Sequence, residues 1–83
     1  MNSKINLKID TSAVYRIKVQ GRLKRNYAGS MNDMQISYET SDNDVNQTLI
    51  IGKVEDQAAL SGVLNFLYDM QMPVLSVECL EKL

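Results

Sequence analysis

The sequence predicts an α+β domain in the order β-β-β-α-β, a four-stranded, mostly antiparallel sheet with one helix packed on one face. Three observations carry this. Within residues 14–23, Tyr15, Ile17, Val19, Gly21 and Leu23 alternate with Arg16, Lys18, Gln20 and Arg22. Residues 60–68 place apolar side chains at helical spacing. The single proline, Pro73, then separates that stretch from a last apolar run, VLSVECL.

Along the chain, residues 1–12 are read as a flexible tail or a short edge strand, because Ile5, Leu7 and Ile9 alternate with Lys4, Asn6 and Lys8. Residues 13–83 form one domain. In the first clear strand, 14–23, Tyr15, Ile17, Val19 and Leu23 point to a core, and Arg16, Lys18, Gln20 and Arg22 point to water. Gly21 marks a bulge or a close backbone approach. Residues 24–33 read as a loop. Residues 34–39 form a second strand, with Met34, Ile36 and Tyr38 on one side. The Ser-, Asp- and Asn-rich stretch Thr40 to Asn46 suits a hairpin loop. Residues 47–54 form a third strand with large aliphatics on both faces, Ile50 and Val54 on one and Leu49 and Ile51 on the other. Asp56 or Glu55 caps the helix. Leu60, Val63, Leu64, Leu67 and Tyr68 form its buried stripe, and Ala58, Ala59 and Gly62 permit close docking. Pro73 ends it near Met70 to Met72. Residues 74–80 are the last strand.

If the first three strands meander, the fourth runs parallel to the first and lies beside it, in the order 3-2-1-4. Four strands at ~4.8 Å give a sheet about 19 Å wide, whereas a helix covers about 10 Å. One helix therefore shields about half of one face. Apolar groups on strands two and three, with Leu49, Ile51 and Tyr38 as the candidate contacts, then need another cover. A second copy of the chain is the simplest, and the alternative is the N-terminal segment folding back.

Composition narrows the chemistry. The chain has no histidine, which removes the commonest general base and metal ligand together. One cysteine, Cys79, excludes an internal disulfide and a cysteine-based zinc site, and reads as a buried, inert thiol. No catalytic residue, metal ligand or cofactor site is assigned, and the chain is not expected to be an enzyme. No apolar run approaches the ~18 residues of a membrane span. Residues 1–9 lack a continuous hydrophobic region and do not read as a secretory signal, so a cytoplasmic location is expected.

Charge is segregated. Within the first 25 positions, seven bases against one acid give +6; the remaining positions, with two bases against nine acids, give −7. Arg16, Lys18, Arg22, Lys24 and Arg25 are the candidate anion or partner contacts. Nucleic-acid sheets usually add aromatics to such a face, and here Tyr15 and Tyr38 belong to the core-facing sets, so nucleic acid is disfavoured. A solvated face paired with carboxylates such as Glu39 explains the stripe more simply. Asp42 to Asn46 imitates the start of a calcium loop. The match fails at Gln47, where glycine belongs, and at Lys53, where glutamate belongs. Met31, Met34, Met70 and Met72 suggest adaptable packing at one end, with a small-ligand sensor slot as one reading.

The run GKVEDQAALSGVLNFLYDMQMPVLSV at 52–77, preceded by YRIKVQGRL at 15–23, resembles a widespread family of small uncharacterised bacterial proteins. They share a V-x-G-x-L strand, a D-Q-A-A-L-x-G-x-L-x-x-L helix and a P-x-L-S-V ending. The resemblance spans residues 14–78 and implies a soluble, free-standing bacterial domain without an assigned activity. Tyr27 stands where that family has a tryptophan-rich loop. The expectation is therefore a non-catalytic interaction module that forms a homo-oligomer, a dimer, or meets an unidentified protein. Its alternatives are an anion or nucleic-acid binder using the basic strand face, and a small-ligand sensor.

Overall fold

The computed structural model describes residues 12–31, 34–40 and 46–83. The tail or edge strand expected over residues 1–12 lies, apart from Ser12, outside the described residues, as does most of the calcium-like stretch. Strand β1 spans Ala13–Gln20, β2 Gln35–Thr40, β3 Asn46–Val54 and β4 Val74–Lys82; helix α1 spans Gln57–Asp69. A 3₁₀ helix, Arg25–Met31, lies between β1 and β2. Among the described residues, the α+β class, the four strands and the single α-helix agree with the sequence.

The strand order does not. It is β2-β3-β1-β4, and every pairing is antiparallel. β4 lies beside β1 as expected, but runs against it. β3 and β4 are thus parallel to each other and flank β1, with α1 joining them across it. β1 and β2 are likewise parallel and flank β3, with the 3₁₀ helix joining them. These two interleaved crossovers have the split connectivity of the ferredoxin-like class, a 3₁₀ helix standing in for the first α-helix. The physical reasons lie in the chain. Residues 21–34 are far more than the roughly two to five residues of a tight hairpin. β3, aliphatic on both faces, suits the interior of a sheet, whereas β2 shows Gln35, Ser37 and Glu39 to solvent and suits an edge.

The core lies between the sheet and its two helical elements. Ile17, Val19, Ile36, Ile50 and Val54 meet Val63 and Leu67 of α1 and Leu23, Met31 and Met34 of the β1–β2 connection. Tyr27 and Phe66 join the 3₁₀ helix to α1, with ring centroids 5.7 Å apart. The segment expected to be a plain loop is thus a second cover, and it buries the inner apolar groups of β2 and β3 within one chain. Gly52 permits this. A Cβ there would lie 2.8 Å from Met34 Cγ.

α1 starts as expected. The Asp56 carboxylate accepts from the Ala59 N–H at 2.8 Å, a cap typically worth about 1 kcal/mol. Val63 and Leu67 are buried, and Leu60 and Leu64 half-buried. Tyr68, assigned to the stripe, is 80% exposed: one residue past Leu67, it is turned about 100° round the helix from the buried Val63–Leu67 line. Gly62 has nothing within 4 Å of its would-be Cβ and does not mediate docking. The helix ends in a Schellman motif. The Met72 N–H donates to the Leu67 carbonyl and the Gln71 N–H to the Tyr68 carbonyl, with Gln71 in the left-handed region at φ 59.

Candidate functional site

The five basic candidates fall into two sets. Arg16 and Lys18 stand on the outer, helix-free face of β1. Arg16 lies opposite Glu78 of β4, and its Nη2 meets Oε1 at 2.7 Å. Lys18 reaches Glu39 of β2 at 3.7 Å, the partner the sequence suggested. Both pairs are well exposed and contribute at most about 1 kcal/mol each. The strand then stops at Gln20 rather than Leu23. Gly21 adopts φ +104, its N–H donates to the Asn46 carbonyl, and the chain leaves the sheet. Arg22 and Lys24 therefore lie in the turn leading into the 3₁₀ helix and Arg25 is its first residue, separate from Arg16 and Lys18. The Arg22 and Arg25 guanidiniums sit 4.0 and 4.9 Å from the centroid of the Tyr38 ring. The Tyr38 hydroxyl donates to the Leu23 carbonyl.

Thr48 holds this turn in place. Fully buried on β3, its hydroxyl accepts from the Leu23 N–H at 3.0 Å and donates to the Gly21 carbonyl at 2.7 Å. The sequence places Thr48 in the third strand, 47–54, without marking it out. The signal that could have found it was a polar residue within a core-facing set.

The three candidate oligomer contacts do not share a surface. Leu49 and Ile51 are half-buried on the outer face, between cross-strand neighbours Lys18 and Ser37 and Arg16 and Gln35 respectively. The long stems of Lys18 and Arg16 can shield them. Tyr38 packs on the opposite face with the core.

The exposed apolar side chains concentrate on β4 instead: Val74, Leu75, Val77 and Leu80, with Leu83 beyond its end. Val77 pairs with Ile17 across the ladder, so the two share the helix-bearing face; Ile17 is 0% exposed and Val77 41%. Among the described residues, α1 contacts β3 and the 3₁₀ helix and leaves β4 without a roof. The narrowness of one helix thus has the effect the width estimate foresaw, but at the other end of the sheet. Cys79, expected to be buried, is exposed on this same strand.

Met31 and Met34 fill the core and Met72 is half-buried, so the methionines do not line a common slot. Tyr68, Asp69, Gln71, Met72 and Pro73 border an open groove of about 520 Å³ at the end of α1. Among the described residues, no three carboxylates or thiols converge on a point that could hold a metal ion. Among the described residues, no helix is long and apolar enough to cross a membrane.

Compared with known proteins, residues 14–78 match a domain of unknown function, DUF8691. No curated protein and no solved structure matches the chain. The match covers the sheet from the start of β1, the 3₁₀ helix, α1 and the first half of β4, so the chain belongs to the family of the DUF8691 domain, a domain of unknown function.

Proposed function

We propose that this chain is a non-catalytic interaction module that works as a homo-oligomer, joining two copies through the free edge of β4. The contrast between the two sheet edges carries the reading. β2 is six residues long and shows polar Gln35, Ser37, Glu39 and Thr40 to solvent, as protected edges do. β4 is nine residues long and exposes Val74, Leu75, Val77 and Leu80. With Leu83, these groups present roughly 400 Å² of apolar surface, about half of what each partner gives to a standard interface. Backbone atoms of a paired strand supply the remainder.

Charge favours a second copy in one register. Pairing shifts between Val14 and Tyr15 and between Lys18 and Val19 leave Ser76 to Cys79 as the regular stretch of β4. A two-fold axis at Glu78 would oppose two carboxylates, which is unfavourable. An axis at Val77 opposes Val77 with Val77, Ser76 with Glu78, Leu75 with Cys79 and Val74 with Leu80. Glu78 then keeps its own Arg16. The absence of histidine from the sequence supports a role without catalysis.

Sedimentation equilibrium from about 1 to 300 µM tests the reading, because it brackets micromolar affinity. A dimer is expected, and Val77→Lys is expected to be monomeric with an unchanged circular dichroism spectrum. A wild-type chain that stays monomeric throughout would refute self-association. A dimer that Val77→Lys leaves intact would refute the β4 edge as its seat.

A further inference from the structure

Three of the described basic side chains, Arg16, Lys18 and Lys53, each meet a carboxylate. Arg22 and Arg25 meet an aromatic ring instead. Their distances to the Tyr38 centroid, 4.0 and 4.9 Å, bound the separation of the two guanidinium carbons at about 9 Å. The ring is fixed, since its hydroxyl is bonded to the Leu23 carbonyl and its body packs against the core. The backbone between the two arginines is fixed as well. Thr48 holds the Leu23 N–H, and the Tyr27 N–H donates to the Lys24 carbonyl at 3.1 Å. Lys24 lies exposed in the same turn. Two like charges are thus held close together on a rigid platform.

A guanidinium laid over a ring uses its π-face and leaves its edge of N–H donors free for a fork-shaped contact with an oxyanion. A carboxylate has two oxygens in one plane and can satisfy one fork. A tetrahedral phosphate can satisfy two, with each guanidinium carbon about 4 Å from phosphorus, which spans about 8 Å. We infer that Arg22 and Arg25, braced on Tyr38 and joined by Lys24, form a binding site for a phosphate group. The site is distinct from the Arg16 and Lys18 pairs and independent of the self-association reading. With arginines over its ring, Tyr38 does not offer the open face that base stacking needs, so recognition is of the phosphate and is indifferent to sequence.

Isothermal titration at about 20 mM salt tests this, with inorganic pyrophosphate and an oligothymidylate of about ten nucleotides as probes. The wild-type chain should bind pyrophosphate. Arg25→Gln should weaken binding at least about tenfold, Arg25→Lys several-fold because charge stays and the fork is lost, and Arg16→Gln not at all. Arg22→Gln gives an independent reading should Arg25→Gln melt early. Tighter, steeply salt-dependent binding of the oligonucleotide would identify a nucleic-acid backbone as the source of the phosphate; equal affinity would identify an isolated phosphate compound. Failure of wild type to bind either probe, or equal weakening by Arg16→Gln and Arg25→Gln, would overturn the site.

Discussion

Thr48→Val keeps the shape of a fully buried side chain and removes its hydroxyl. Two polar groups then lose their partner, the Leu23 N–H and the Gly21 carbonyl. The orphaned, buried Leu23 N–H costs about 1–3 kcal/mol and the half-buried Gly21 carbonyl less, offset in part by the better transfer of a methyl group. A net loss of about 2–3 kcal/mol is expected. For a domain of this size that lowers Tm by roughly 10–20 °C. Thr48→Ser is the control: it keeps both hydrogen bonds and loses one methyl group, about 1 kcal/mol. Urea denaturation of the three proteins measures the order, and hydrogen exchange at the Leu23 amide localises the effect. The expected ranking is wild type, then Thr48→Ser, then Thr48→Val, with unchanged m-values. A valine variant as stable as the serine variant would show that the hydroxyl does not hold the turn.

Two further outcomes follow from backbone geometry. Gly52→Ala puts a Cβ 3.1 Å from Met34 Cα as well as close to its side chain, so side-chain rotation alone cannot relieve it; a loss of about 1–3 kcal/mol in urea denaturation is expected, and a neutral result would contradict the packing. Gln71→Gly relieves a left-handed residue at the end of α1 and should raise stability by about 1 kcal/mol, seen as a higher Tm, whereas Gln71→Ala should not.

Local patterns were legible in the sequence where one physical cause dominated. The alternation in β1 reported a face, and Asp56 with the spacing of Leu60, Val63, Leu64 and Leu67 reported a capped helix. The strand order was partly written there too, because Leu49 and Ile51 opposite Ile50 and Val54 indicate an interior strand. The assumption of a meander overrode that sign. The 3₁₀ helix also had a signal: Leu23, Tyr27 and Met31 recur at every fourth position, which favours a helical turn over a loop. What the sequence could not report depends on tertiary placement. VLSVECL reads as a core strand whether or not a helix lies above it, so the exposure of Val77 and Cys79 was invisible. The Arg22–Tyr38–Arg25 cluster was hidden for the same reason, since Gly21 redirects the chain and separates residues that alternation had placed on one stripe.

The position of β1 between two strands made later in the chain has a consequence for how the molecule comes into being. Its hydrogen-bonding groups face residues 46–54 on one side and 74–82 on the other. A nascent chain emerging from the ribosome therefore carries β1 unmatched on one side until residues 46–54 are made and on the other until residues 74–82 are made. Such distant pairings put this domain among slow folders relative to helical bundles of equal length. The stretch Ala13–Gln20 is then the segment most open to capture by chaperones, or by its own kind, during synthesis.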